Sequence, residues 1–288
     1  MTVASYDKFQ LAEALETVGL NRDCLIYMPS ALFALGRMDG VELSEIPEQI
    51  FDVVFDIIGP NGTLTVPASF DDYARHGIPY DTHRSDVDPA QGVFSQYVAK
   101  LPNAYRSYCP LNAVAGVGPL AEEVCNSWTG SSYGVGSAWD KLYEHDAIFL
   151  FLGIALNQAF NFAYYVQHRF GVPHLYNKLY TTPVFSNGER VELPITSSVR
   201  YLDSRFRIVE NAKKFEDHLQ ERSIVRKAPI GRGYVYVLPS AQEVFDIAVS
   251  KLQEDIYYFL DAPPNFTAGE IPMDGNTGAM KTDRERFG

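Results

Sequence analysis

Ser30 closes the run Tyr27-Met-Pro-Ser30 and is followed by Ala31-Leu32-Phe-Ala-Leu-Gly36, so a strand passes through a Pro-Ser turn into helix-forming residues. The first turn of a helix offers unpaired backbone N–H groups and the positive end of its dipole, which suit an anion. The same serine also reads as a plain N-cap. A second turn of this kind is Gly134-Val-Gly136-Ser137-Ala-Trp-Asp140-Lys141-Leu-Tyr-Glu144. Ser137 and Asp140 have the spacing of a capping box with the shorter acid. The two glycines let a ligand approach the backbone, and Lys141 stands one turn in, where it could meet a phosphate. A tight turn and cap explains the same residues.

The polar stretch from Ser69 to Gln91 carries His76, Asp81, His83, Arg84, Ser85, Asp86 and Asp88. Histidine titrates near neutral pH and is the usual general base; a solvated loop has the same composition. Asn157-Gln-Ala-Phe-Asn161-Phe-Ala-Tyr164-Tyr165 follows an apolar strand, the end of a buried sheet where α/β folds place their sites. Helix surface over core aromatics is the alternative. His168 and His174 are six apart across Gly171-Val-Pro173, which is not the spacing of a helical metal pair, and no metal is expected. Cys24, Cys109 and Cys125 are odd in number with no CxxC, so neither a disulfide scaffold nor a zinc site is indicated, and Cys109 reads as a packed thiol.

These residues need a scaffold, and the chain alternates to provide one. Asp7 to Val18, Ser30 to Leu35, Ile46 to Ile58, Val93 to Lys100, Ala121 to Asn126 and Trp139 to Glu144 read as helices. Cys24 to Met28, Gly62 to Val66, Ala113 to Val117 and Ala147 to Ile154 read as strands. The expected fold class is α/β: a large domain with a mixed, mostly buried sheet flanked by helices, over residues 1–185. Arg190 to Leu202 and Ile224 to Val237 alternate like strands, and Asn211 to Glu221 and Ala241 to Leu260 are helical. They predict a small α+β lobe over 186–262, followed by an extended tail, 263–288.

The chain has 288 residues, 46% hydrophobic and 13% aromatic, enough to build a core. Its 24 basic and 36 acidic side chains give a net charge of −12. That balance speaks against a nucleic-acid partner and against an anionic membrane surface. The longest apolar run, Ile148 to Leu156, is too short to span a bilayer, and with no leader-like start a cytoplasmic protein is expected.

Taken in order, these segments resemble the aminoglycoside 3-N-acetyltransferase family. The resemblance rests on Ser30-Ala-Leu-Phe-Ala-Leu-Gly36, Ile58-Gly-Pro-Asn-Gly-Thr-Leu-Thr-Val-Pro67, Gln91-Gly92 with Phe94-Ser-Gln-Tyr97, Arg106-Ser107, Pro110-x-x-Ala-Val-Ala115, Gly136-Ser137-x-x-x-Lys141 and Leu150-Phe-Leu-Gly-Ile154. It implies acyl transfer from coenzyme A to a sugar amine. Ser30, Ala31, Leu32, Gly134, Gly136, Ser137 and Lys141 would then lie near the coenzyme, and Asn112, Ala113 and Val114 would pair with its pantetheine amides. The expected partners are acyl-CoA and a small amino sugar, with a homo-oligomer left open. Backbone N–H groups at a helix start would serve the oxyanion.

Departures accompany the resemblance. The family's Asn-Thr-x-x-His-x-x-Glu aligns with Asn157-Gln-Ala-Phe-Asn161-Phe-Ala-Tyr164, so the expected His is Asn161 and the expected Glu is Tyr164. Cys109 and Gln96 stand for another family His and Glu. Neither Asn nor Tyr replaces a histidine base at neutral pH. This turns the reading toward the branch that acylates nucleotide-linked amino sugars, such as the anthrose-pathway sugar N-acyltransferase. His83 and Ser95 would then manage the proton, Asn161 would orient the amine, and Asp81, Arg84 and Tyr164 would bind the sugar beside the long polar stretch. An aminoglycoside acceptor is the rival, favoured by the negative charge; a non-catalytic binding protein on the same fold is the other.

Overall fold

The computed structural model describes residues 5–126 and 129–272. The strands are β1 (Ser5–Tyr6), β2 (Leu25–Tyr27), β3 (Arg37–Met38), β4 (Thr63–Pro67), β5 (Tyr80–Asp81), β6 (Tyr105–Arg106), β7 (Val114–Val117), β8 (Ile148–Leu152), β9 (Leu175–Tyr180), β10 (Val184–Ser186), β11 (Glu189–Arg190), β12 (Ile195–Arg200), β13 (Arg226–Ile230) and β14 (Gly233–Leu238). The helices are α1 (Lys8–Thr17), α2 (Ile46–Ile58), α3 (Asp72–His76), α4 (Val93–Ala99), α5 (Ala121–Cys125), α6 (Ala138–Glu144), α7 (Leu156–Ala159), α8 (Phe162–Phe170), α9 (Ala212–Glu221) and α10 (Ala241–Glu254).

Seven strands form the main sheet in the order β13-β14-β8-β2-β4-β7-β6. β2 runs parallel to β4 and β8, and the outer pairings are antiparallel. The sheet is therefore mixed, as expected. Its central strands are apolar on both faces because both are covered. Ile26, Leu64, Val66, Leu150 and Leu152 pack against α1, α2 and α4. Leu25, Tyr27, Phe149 and Phe151 meet Trp139 of α6, Tyr165 of α8 and Val244 and Ala248 of α10. In α2 the apolar residues recur on one side, burying Ile46, Ile50, Val53, Val54 and Ile58.

Two sequence expectations change. Ser30 to Leu35 is not an α-helix: only a 3-10 turn forms, at Leu32–Ala34. Ser30 instead prolongs the sheet, because Leu152 N–H donates to the Pro29 carbonyl and Ala31 N–H donates to the Leu152 carbonyl. The segment 186–262 contributes β13 and β14 to the main sheet, so these two strands complete the large unit, while β11 and β12 belong to smaller sheets. Of the expected tail, 273–288 lies outside the described residues.

A separate apolar cluster assembles from distant pieces: Tyr73, Ala74 and Tyr80 of the long polar stretch, Cys109 and Leu111, and Val184 and Ile195. The polar stretch is thus built into the fold, with β5 pairing parallel to β10. Its anchor is Arg106, only 4% exposed. Arg106 Nε and Nη2 donate to the Ala68 carbonyl at 2.9 and 2.5 Å, Nη1 donates to that of Ser85 at 2.6 Å, and the guanidinium lies 4.9 Å from the Tyr80 ring centroid. Removing a charged donor strands buried carbonyls, so Arg106→Met is expected to cost about 2–4 kcal/mol, read as a lower urea midpoint.

Candidate active site

A cavity of about 410 Å3 opens where the carboxyl side of the sheet meets the β9/β12 hairpin. Leu111 and Asn112, just before β7, form one wall. Asn112 adopts φ +55°, and its carbonyl accepts from Trp139 Nε1 at 2.9 Å. Tyr133 comes from the segment leading into α6, and Asn161 and Tyr164 from the start of α8. The hairpin supplies Tyr176, Lys178 and Tyr180 from β9 and Ser197 to Arg200 from β12. These two strands pair antiparallel along their whole length, Leu175 with Arg200 through Tyr180 with Ile195.

The aromatic wall continues the core. Tyr27 lies 4.8 Å from Trp139, Trp139 lies 5.9 Å from Tyr133, and Tyr133 stacks on Tyr164 at 6.1 Å with an interplanar angle of 12°. Tyr133 is 1% exposed, and its hydroxyl has no hydrogen-bond partner among the described residues. The Tyr164 hydroxyl donates to the Glu210 carboxylate, whose other oxygen is 3.4 Å from Arg200 Nη1. Burial pushes both tyrosines well above their ordinary range, and the Glu210 charge pushes Tyr164 further. Both are neutral donors at physiological pH. Beneath the cavity, Cys109 Sγ is 3.3 Å from Ser132 Oγ, and that hydroxyl donates to Ser197 Oγ at 2.8 Å. Burial pushes the Cys109 thiol up to about 11, so it is a packed thiol and not a nucleophile.

Asn112, Asn161 and Tyr164 are the sequence-derived residues that converge on the cavity. The others lie elsewhere. Ser30 is buried with its hydroxyl unpartnered among the described residues. Its neighbourhood is crowded: Gly92 (φ +85°) and Gly153 (φ +71°) occupy turns where an added Cβ would lie 2.9 Å from the Ser30 carbonyl and 2.6 Å from that of Ala31. Leu32 packs into the core. Ser95 on α4 is fully buried, and its hydroxyl is unpartnered in the same sense.

Several expected roles are already occupied by internal bonds. Ala113 and Val114 belong to the interior of the sheet: the Ala113 carbonyl accepts from Ala68, and Val114 exchanges both of its backbone bonds with Ser107. At the second turn, Gly134 N–H donates to Ser131 Oγ, Gly136 N–H to Asp140, and Ser137 N–H to the Gly134 carbonyl. Ser137 Oγ accepts from Asp140 N–H. The turn-and-cap alternative describes it, with the acid reaching back to Gly136, and these three N–H groups are spent internally and not offered to an oxyanion. Lys141 pairs with Glu144 at 2.7 Å and with Glu123 at 3.6 Å. His83 is exposed, and its Nδ1 lies 2.8 Å from Thr82 Oγ. Asp81 accepts from the N–H groups of His83, Arg84 and Gly188, so it builds the turn that carries them. None of His83, Asp81 and Arg84 lines the cavity; the hairpin occupies the place expected for the polar stretch.

Sequence reasoning missed Tyr133, the hairpin residues and Glu210. The signal for β9 was present in Leu175-Tyr-Asn-Lys-Leu-Tyr180, where every second residue, Tyr176, Lys178 and Tyr180, faces the cavity. Among the described residues no cluster of three or more His, Cys, Asp and Glu could hold a metal ion. Nor is any described helix long and apolar enough to cross a membrane.

The family model for aminoglycoside 3-N-acetyltransferase matches residues 30–253. The chain belongs to that family. Aminoglycoside N(3)-acetyltransferase IV of Salmonella sp is 26% identical over 227 residues, covering 77% of this chain and 79% of the relative. Aminoglycoside N(3)-acetyltransferase III of Serratia marcescens is 23% identical over 264 residues, covering 83% and 94%. The fold is that of the aminoglycoside acetyltransferase AAC(3)-IVa apoenzyme, with a TM-score of 0.71 at 22% identity over 91% of this chain and 94% of that one. It is equally that of AAC-IIIb in binary complex with CoASH, with a TM-score of 0.71 at 20% identity over 91% and 100%. Membership in the aminoglycoside 3-N-acetyltransferase family makes this an acyltransferase that uses coenzyme A.

The corner between α8 and β9 joins two walls of the cavity and is pinned by His174. This imidazole is 1% exposed, and its Nε2 lies 2.8 Å from Gln167 Oε1. Burial holds it at about 4, below its usual 6.5. The unfolded chain therefore binds the extra proton first, and stability falls as pH drops from 6.5 toward 4. Urea titrations across that window are expected to show a shallower fall for His174→Gln than for the native chain.

Proposed function

We propose that this protein transfers an acetyl group from acetyl-CoA to the amine of an aminoglycoside-type amino sugar seated in the 410 Å3 cavity. The observation that carries the reading is the wall itself: Asn161 and the hydroxyl-bearing Tyr133 and Tyr164 are set in an otherwise largely apolar surface, in a chain of this family. Solved relatives of the same fold are complexes with a gentamicin and with sisomicin.

When bound, the carrier supplies a thioester, an acyl group already activated toward an amine. The residues that suit it are Ser30, Ala31 and Leu32 with Ser95. Both serine hydroxyls are buried and unpartnered among the described residues, outside the cavity wall, so a pantetheine arm would reach them only if this closely packed segment opened. Tyr133 has the one unpartnered buried hydroxyl in the cavity wall among the described residues, and it suits the negative charge that develops on the acyl oxygen. Asn161, at the start of α8, orients the amine. Holding the two reactants in one cleft supplies much of the rate.

A second reading keeps the reaction and changes the acceptor to a nucleotide-linked amino sugar. It is favoured by the charged lining, which among the described residues is Lys178 and Arg200 with no carboxylate, a better match to phosphate than to a polycation. Mass spectrometry with acetyl-CoA against gentamicin, sisomicin, apramycin and a set of nucleotide-linked amino sugars separates the two. An acetylated aminoglycoside is expected, products from nucleotide sugars alone would install the second reading, and no product from any acceptor would reject both. Tyr133→Phe is expected to lower kcat by at least about tenfold while KM for acetyl-CoA changes less than about threefold. The melting temperature should not fall, since the lost hydroxyl has no described partner to lose.

A further inference from the structure

An amine that attacks a thioester must shed a proton, and among the described residues the cavity wall holds no His, Asp or Glu to take it. Lys178 and Arg200 carry the wrong charge, and Asn161 has no useful basicity. One carboxylate nevertheless reaches the cavity through a side chain that lines it. Tyr164 faces the cavity on one side and donates its hydroxyl proton to Glu210 on the other. Glu210 is fixed by a backbone bridge to Leu260, and its side chain is 37% exposed, so it connects the wall to solvent.

We propose that Tyr164 and Glu210 form the proton exit of the acyl-transfer site, Tyr164 taking the amine proton as it passes its own to the Glu210 carboxylate. This rests on the function proposed above. The balance closes. The amine nitrogen bonds to the acyl carbon, the carbon–sulfur bond breaks, and its electron pair leaves on sulfur. The surplus N–H proton moves to Tyr164 Oη while the Tyr164 proton moves to Glu210 Oε1. Glu210 then releases that proton to solvent, where the thiolate can recover it.

The surroundings fit the task. Tyr164 is held neutral by burial, so it carries a proton to pass on. The groups facing Glu210 are Tyr164 from α8, Arg200 from β12 at 3.4 Å, and the Tyr133 ring behind Tyr164. On the other side is the Leu260 segment, where Lys214 Nζ donates to the Leu260 carbonyl and Asn211 Nδ2 to Asp261. Arg200 Nη1 lies against one oxygen of the carboxylate and leaves the other to the Tyr164 hydroxyl. His83, the more obvious base in the sequence, lies outside the cavity with its ring on Thr82.

The test measures kcat, KM and their pH dependence for the native enzyme, Tyr164→Phe, Glu210→Gln and the double variant, with the acceptor that gives the highest turnover. Each single variant is expected to lose about 100-fold in kcat with less than about threefold change in KM. The acid limb of the native kcat profile should vanish in Glu210→Gln. The double variant should be no worse than either single one, because both interrupt one path. Glu210→Asp keeps the charge and covers misfolding of the amide variant; it should restore part of kcat and the acid limb. A folded single variant within threefold of native kcat, or losses that multiply in the double variant, overturns the proton exit alone. A native protein that acylates no amine overturns the function and the exit with it.

Discussion

The guanidinium of Arg106 sits where water cannot reach it and satisfies its charge on backbone carbonyls, not on a carboxylate. Burying a cation is costly unless every donor is used. Here the donors go to Ala68, at the end of β4, and to Ser85 and Asp86 in the polar stretch. One side chain thereby fixes a segment that has little regular structure of its own. Tyr80 covers the guanidinium and donates to the Ser107 carbonyl, so the same contact seals β5 against the strand that carries Arg106. β10 pairs with β5, and the β9/β12 hairpin packs on the cluster that results. The far wall of the cavity is therefore referred to the sheet through a cation that does not line the ligand space.

How much of this could be read from residues alone depended on the range of the forces involved. The central strands were legible because their apolar runs, such as Ile148 to Leu152, have no other use in a protein of this composition. Asn161 and Tyr164 were legible because they follow such a strand in the chain. Ser30 misled: helix-forming residues follow it, but it bridges to Leu152, far along the chain, and pairing overrode propensity. The turn at Gly134 to Ser137 was ambiguous, since an anion site and a self-satisfied cap share the same residues; only the hydrogen bonds distinguish them. β9 was missed because Tyr and Lys line an inner wall where the pattern suggested nothing apolar to bury. Glu210 could not be found at all. Its relation to Tyr164 spans 46 residues, and Glu210 is itself held by a bridge to Leu260, 50 residues further on.

The row Tyr27, Trp139, Tyr133 and Tyr164 connects the middle of the sheet to the cavity by successive ring contacts. Rings of this size have few rotatable bonds, so a wall made from them holds its hydroxyls in place at little entropic cost. Asp140 extends this order sideways. It accepts from Gly136 N–H and from the Tyr165 hydroxyl at 2.7 Å each, joining the start of α6 to α8. The two elements that present Tyr133 and Tyr164 are in this way braced by a buried carboxylate, and the polarity of the second turn is spent on architecture.

The hairpin of β9 and β12 forms a two-stranded sheet of its own, while the seven-stranded ladder closes without it. β9 and β12 are therefore set apart from that ladder: the side chains they turn to the cavity can change under selection for a new ligand while the seven-stranded framework keeps its register. Such a division of labour lets one scaffold diversify its recognition repertoire without relearning how to fold.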